Sequence, residues 1–194
     1  LGLYCLARLG FKDESRAFWS AVALATAGFY LALAKTVFTD MVFSVFILFS
    51  LLSFYYAFDQ PGRKREGVLG FYFFAALAVL TKGPLGFLIP ALAVVLFLMY
   101  RGQPRWLRDR RVMTGLLLGL AVALPWYVFM FTQYGNAFIH EFFTNDHWRR
   151  LIEAEHRSND RWFFYPATIL WGMLPWTLFV AAGFSGIYRR LKDH

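Results

Sequence analysis

Residues 41–58 of the chain read MVFSVFILFSLLSFYYAF, a run without a single charged side chain. About 20 apolar residues in a helix cross a bilayer core of roughly 30 Å. Comparable apolar runs lie at residues 18–34, 68–81, 83–100, 112–132 and 166–188. Their apolar residues follow one another without strict alternation, so the pattern predicts membrane-crossing helices rather than the strands of a membrane barrel.

The composition agrees with this interpretation. Of 194 residues, 59% are hydrophobic and 16% are charged, whereas soluble domains are about 45–50% apolar and about 25% charged. The chain opens with an apolar stretch, residues 1–7, which we interpret as the truncated end of another helix rather than a signal peptide. We therefore predict an all-α integral membrane protein. Residues 1–194 would form one transmembrane domain, a polytopic helical bundle of six spans plus a truncated N-terminal helix stub, taken from a longer protein.

The positive charge of the chain is confined to alternate connections. Residues 8–16, 59–67, 101–111 and 189–194 together hold 14 of the 20 Lys and Arg and 6 of the 12 Asp and Glu, a net charge of +8. The remaining connections hold 6 basic and 6 acidic residues, a net charge of zero. By the positive-inside rule the first set is cytoplasmic. Since topology accounts for the whole excess, we expect no nucleic-acid partner.

The opposite face holds the candidate chemistry. Its connections are residues 35–40, the corner at residues 82–84, and an extracytoplasmic loop, residues 133–161, for which an interfacial helix is predicted. Acids, bases and histidines are interleaved on this side. Histidines and carboxylates are nevertheless too loosely spaced there to give a metal-binding signature.

Lys82 follows an apolar run, residues 68–81, that reaches only about 21 Å as a helix. A lysine below the membrane surface marks a functional site or an anionic partner, but a lysine that extends to the interface at a helical hairpin is an equal alternative. Asp40 precedes an apolar run and is either the N-cap of that helix or a catalytic carboxylate. Lys35 is a possible ion-pair partner for Asp40 across the turn.

The long loop offers two interpretations as well. Its first part is an interfacial anchor in which arginines touch lipid headgroups, or it turns Asp146, His147 and Arg150 toward a cavity between the span ends. The aromatic residues 162–165 suit an interfacial belt.

An ordered set of short motifs carries a resemblance to a known family. They are KTVFTD at residues 35–40, LTKGP at 80–84, LPWY at 124–127, Asp146-His147 with Arg150, His156-Arg157, and WFFYP at 162–166 with LPW at 174–176. Together the chain resembles the bacterial membrane glycosyltransferases of the protein-mannosyltransferase superfamily. Within it, the chain is similar to the branch that includes the 4-amino-4-deoxy-L-arabinose transferases of lipid A.

The resemblance implies a GT-C fold enzyme of the bacterial inner membrane that transfers a sugar from a polyprenyl-phosphate donor to a lipid or protein acceptor at the periplasmic face. It implies donor-phosphate binding by Lys82, Arg150 and Arg157, and catalytic roles for Asp40 and His147. The main catalytic acid is expected upstream of Leu1, so these 194 residues are expected to be inactive alone. A divalent metal is possible in the family, but no ligand set is implied here.

The alternative function is a transporter or flippase of lipid-linked sugars. Transporters commonly contain inverted repeats and place their sites near the bilayer midplane. The sequence has no convincing repeat, and its ionisable residues gather on one face, which favours the enzyme.

Overall fold

A computed structural model describes residues 1–36, 39–139, 163–179 and 182–183, and the regular structure in these residues is entirely helical. The helices are α1 (Gly2–Phe11), α2 (Glu14–Thr26), α3 (Gly28–Ala34), α4 (Thr39–Asp59), α5 (Lys64–Lys82), α6 (Leu85–Tyr100), α7 (Arg110–Ile139) and α8 (Phe164–Gly172). Short 3-10 segments precede α5 at Pro61–Arg63 and α7 at Pro104–Arg108. The second of these is called the Pro104 turn below. The prediction of an all-helical apolar fold is confirmed for the described residues.

The predicted number of six spans is not confirmed. In the described residues, α4 and the Arg110–Tyr134 part of α7 are long and apolar enough to cross a membrane. A third span results only if α2 and α3 are counted together, although they meet at a 62° bend. The predicted single span at residues 18–34 is thus broken. The run at 166–188 is interrupted as well, because α8 ends at Gly172.

The two interruptions lie against each other. The backbone N–H of Gly28, which follows the bend, donates to the carbonyl oxygen of Leu174 at 3.0 Å. The Trp176 indole N–H donates to the Thr26 hydroxyl at 2.8 Å. A broken helix leaves backbone groups without intrahelical partners, and in a membrane those groups need protein partners. Here each break supplies a partner to the other.

The antiparallel helices α4, α5 and α6 enclose the core, where Phe54, Phe71, Val94 and Leu98 form a buried cluster. Close approach depends on small residues. A Cβ on Gly67 would lie 2.5 Å from the Ser53 carbonyl oxygen, and one on Gly86 would lie 2.3 Å from the Ala78 carbonyl carbon. Glycine is therefore required where α5 packs against α4 and where it packs against α6.

Ion pairs join the connections that the charge pattern groups together. At one end of the bundle Lys12 lies 3.5 Å from Asp59, the last residue of α4. Asp40, near the first residue of the same helix, pairs with Lys82 at the opposite end. The connections at residues 8–16 and 59–67 therefore share one end of the bundle, as predicted, and those at 35–40 and 82–84 share the other. That the first end is cytoplasmic remains a prediction.

Candidate functional site

The chain brings Lys82 and Asp40 together at adjoining helix ends. Lys82 is the last residue of α5, which stops because Gly83 has φ 76°, a conformation that favours glycine. Pro84 then leads into α6 with a fixed, helix-compatible φ. Asp40 is the second residue of α4. A cation at a helix C-terminus and an anion at a helix N-terminus each interact favourably with the backbone dipoles, so both positions suit their charges.

The Lys82 ammonium donates a hydrogen bond to the Asp40 carboxylate. The two side chains remain 36% and 47% exposed, so a ligand can reach both of them. The Phe43 ring centroid lies 6.0 Å from the Lys82 nitrogen. Since Phe43 is three residues after Asp40, one turn of α4 presents an acid and an apolar ring to the same lysine. This combination suits an anionic group attached to an apolar chain.

Two predictions about Asp40 are wrong. Asp40 was expected as a possible N-cap, but it lies inside the first turn of α4, and its carboxylate accepts from Lys82. Lys35 was a possible ion-pair partner, but within the described residues the carboxylate pairs with Lys82 and not with Lys35. The cause is the packing of α4 against α5, which brings together residues that are distant in sequence.

Lys82 ends a longer helix than its apolar run predicted. The apolar run of 14 residues predicted a helix of about 21 Å, but α5 begins at Lys64 and its 19 residues extend about 28 Å. A short helix therefore does not place Lys82 below the surface. The site rests instead on the ion pair between two helix ends.

The aromatic side chains of α7 lie beside this end of α5. The Tyr127 hydroxyl donates to the Val79 carbonyl oxygen at 3.3 Å, one turn before Lys82. The Phe138 ring lies 6.4 Å from the Tyr127 ring. Eleven residues of straight helix would separate them by about 16 Å, so the chain turns back at Gly135, where φ is 54° and ψ is −134°. Residues 136–139 thus form a short helical segment beyond the bend, and the loop at residues 133–161 with its interfacial helix stays a prediction.

The remaining predicted site residues, His147, Arg150 and Arg157, lie outside the described residues, as does the part of the predicted loop at residues 140–161. In the described part of the chain no three His, Cys, Asp or Glu side chains come together as a metal site. Sequence reasoning had not singled out Phe43, and Tyr127 had entered only through its motif. The spacing of three between Asp40 and Phe43 was the available signal.

A cleft of about 780 Å³ lies at the other end of the bundle, between α1 and the adjoining ends of α4 and α5. Its charges largely satisfy one another, because Arg8 lies 2.6 Å from Glu14 and Lys12 lies 3.5 Å from Asp59. Lys82 and Asp40 are paired as well, but two predicted site residues come together there beside the Phe43 ring. We therefore place the candidate site at the pair of Lys82 and Asp40.

This architecture is that of a multi-pass membrane protein with an ionisable pair where two helices end. Residues 1–129 match the family described as "Dolichyl-phosphate-mannose-protein mannosyltransferase". The chain belongs to this family, which confirms the resemblance drawn from its motifs.

Individual relatives point to one branch. The chain is 30% identical to "Undecaprenyl phosphate-alpha-4-amino-4-deoxy-L-arabinose arabinosyl transferase 1" of Proteus mirabilis, a match that covers 98% of this chain and 35% of the relative. It is 26% identical to the corresponding transferase of Pseudomonas aeruginosa strain UCBPP-PA14, over 90% of this chain and 32% of the relative. The chain thus spans about a third of the length of these relatives.

Solved structures share the fold. The crystal structure of ArnT from Cupriavidus metallidurans bound to undecaprenyl phosphate superposes with a TM-score of 0.77 at 21% identity, covering 99% of this chain and 34% of that one. The apo crystal structure of the same protein gives a TM-score of 0.74 at 21% identity, over 91% of this chain and 32% of that one. The likeness establishes the helical arrangement of the chain.

Proposed function

We propose that the full-length protein containing this chain is a glycosyltransferase of the bacterial inner membrane. It moves a sugar from a polyprenyl-phosphate donor to a lipid or protein acceptor at the periplasmic face. The exposed Lys82–Asp40 pair beside Phe43 is the observation that carries the proposal. Family membership supports it, as do the names of the arabinosyl transferase relatives and the undecaprenyl phosphate bound by the similar ArnT structure.

Sugar transfer breaks the bond between the anomeric carbon and the phosphate oxygen while an acceptor oxygen bonds to that carbon. The bonding electrons leave with the phosphate, which changes from a singly charged diester to a more highly charged monoester. A cation placed at that oxygen stabilises the developing charge. Lys82 takes this role. Its ammonium carries three donors, so it can keep Asp40 as a partner while it binds the phosphate.

Other predicted residues complete the site. Arg150 and Arg157 are further phosphate ligands, and a guanidinium can hold two phosphate oxygens at once. His147 orients or polarises the acceptor or donor groups. Asp40 holds Lys82 in position and contributes negative charge to the active site. The acceptor proton passes to a catalytic acid/base expected upstream of Leu1.

A transporter or flippase of lipid-linked sugars is the second candidate, and the broken helices favour it. Transporters bind substrates at discontinuous helices whose free backbone groups face the ligand. In this chain the 62° bend between α2 and α3 and the interruption after α8 have that form. Their polar groups bond to each other, however, through Gly28 to Leu174 and Trp176 to Thr26. This pairing favours a structural role for the breaks, and the enzyme remains the preferred function.

A transfer assay separates the two functions. The full-length protein in proteoliposomes should move radiolabel from a sugar-labelled undecaprenyl phosphate to lipid A, so that acceptor label accumulates and free undecaprenyl phosphate appears in equal amount. The products are resolved by thin-layer chromatography, with protein-free liposomes as the control. Movement of intact donor between leaflets without any transfer would instead support the flippase.

Cysteine labelling tests the proposed orientation. In a cysteine-free background that includes Cys5→Ser, a membrane-impermeant maleimide added to intact spheroplasts should label Ser158→Cys and leave Gln103→Cys unlabelled. The physical reason is the charge asymmetry between the two sets of connections. Permeabilised cells provide the control, since both positions should then react. The reverse pattern in intact spheroplasts would overturn the periplasmic assignment of the site.

A further inference from the structure

Helix α6 presents a regular apolar row to its surroundings. Leu88, Leu92, Leu96 and Tyr100 are spaced by four residues and are 56%, 61%, 57% and 88% exposed. Residues at this spacing lie on one face of a helix. From Leu88 to Tyr100 the row extends about 18 Å, close to the half-thickness of a bilayer core. This length and chemistry match one lipid acyl chain.

The row leads directly to the Pro104 turn, which is fixed against the core. Trp106 packs edge-to-face on Phe54 with ring centroids 5.1 Å apart, and the Lys64 ammonium lies 4.4 Å from the Trp106 ring centroid. A 3-10 helix has three residues per turn, so side chains three apart lie on the same face. Arg105 and Arg108 are therefore presented side by side, about 6 Å apart along the axis, by a segment anchored through Trp106.

Five exposed arginines surround this turn. They are Arg101, Arg105, Arg108, Arg110 and Arg111, all exposed, and in the described part of the chain none of them forms an ion pair with a carboxylate. The acid of this segment, Asp109, lies 2.7 Å from Lys64 instead. That ammonium, and then the Arg111 backbone N–H, hold the pKa of the Asp109 carboxyl below its usual range. Asp109 thus stays ionised and paired with Lys64.

We propose that the exposed row of α6 and the arginines of the Pro104 turn form a binding site for an anionic phospholipid of the adjoining leaflet. One acyl chain lies along Leu88, Leu92 and Leu96, and the phosphate binds between Arg105 and Arg108. Tyr100 lies between these parts, at the headgroup level that tyrosine prefers in membranes. The site is at the end of the bundle opposite Lys82 and does not depend on the transfer reaction.

The apolar row and the arginines follow one another in the chain, and this adjacency favours a lipid over a soluble anion. A free phosphate would use the arginines alone and leave the apolar row without a role. An anionic lipid uses both, since paired guanidinium groups bind phosphate oxygens and each basic residue near an anionic surface adds to lipid affinity.

Lipid retention by the full-length protein in detergent tests the site. Native mass spectrometry should show retained phosphatidylglycerol but little phosphatidylcholine of the same acyl chains. Arg105→Gln with Arg108→Gln should weaken apparent affinity for phosphatidylglycerol by about 10- to 30-fold. Each single variant should show a smaller loss in the same direction, so the site can be tested even if the double variant folds poorly.

The matched control is Arg8→Gln with Arg16→Gln. It removes the same charge from connections grouped at the same end of the bundle, but these arginines already pair with Glu14 and Asp13. Retention in this control should stay at the wild-type level. An equal loss in both double variants would mean that lipid retention depends on overall positive charge and not on Arg105 and Arg108, and would overturn the proposal. So would equal retention of phosphatidylcholine, or displacement of phosphatidylglycerol by millimolar inorganic phosphate.

Discussion

Replacing Lys82 with alanine in the full-length protein is expected to lower the rate of sugar transfer by about 10²- to 10³-fold. The side chain donates to Asp40 at the end of α5, where an ammonium would meet the phosphate that leaves the sugar. Without it, the increased negative charge of the departing phosphate has no cation at this position. Initial rates in proteoliposomes at saturating donor measure the effect, and insertion and monodispersity of the variant are checked in parallel.

Lys12→Ala is the matched control. Lys12 pairs with Asp59 at the far end of α4, so both variants remove an ion pair between a lysine and an end of the same helix. The control should transfer sugar at the wild-type rate, because its ion pair is remote from the proposed phosphate site. Lys82→Arg keeps the charge but changes its shape and reach, and is expected to retain part of the activity. A rate near wild type for Lys82→Ala would remove Lys82 from the site.

Helical structure was predictable because long apolar runs leave the backbone of a membrane protein no other means of satisfying its hydrogen bonds. The bend at Ala27 was not, since residues 18–34 contain no proline and no charged residue. A tertiary hydrogen bond supports the bend, because the Gly28 N–H donates to the Leu174 carbonyl oxygen, 146 positions away in the chain. Hydropathy predicts the length of an apolar segment. It does not predict a tertiary hydrogen bond that satisfies the backbone where the helix is broken.

The candidate site was likewise predictable only in part. Lys82 and Asp40 were each recognisable, because charged residues that bound apolar runs lie at helix ends. Their pairing was not, since they are 42 positions apart and Lys35, which is nearer in sequence, was a possible partner of Asp40. The packing of α4 on α5 determines which lysine pairs with Asp40. Ser50 donates to the Phe71 carbonyl oxygen at 3.0 Å across the same interface, and Gly67 allows the close approach.

Asp40→Asn is expected to reduce transfer by about 10²-fold while leaving the fold intact, because the charge that holds the Lys82 ammonium in position is lost. The amide oxygen still accepts a hydrogen bond from Lys82, but the negative charge is lost. An exposed ion pair contributes about 1 kcal/mol or less to stability, and the two side chains here are 36% and 47% exposed. Thermal unfolding in detergent should therefore change little, and turnover should change far more than stability can explain. Loss of stability with unchanged turnover would assign Asp40 a structural role.

Exchanging the two charges separates these roles further. Asp40→Lys combined with Lys82→Asp restores an ion pair of opposite polarity between the same helix ends, so thermal stability should recover relative to the single charge reversals. Recovery should be partial, because each charge then opposes the dipole of its own helix. Transfer should stay absent, since a carboxylate would occupy the position from which the ammonium binds the phosphate. If turnover returned with stability, the pair would serve only to join α4 to α5, and the phosphate site would have to lie elsewhere at this end of the bundle.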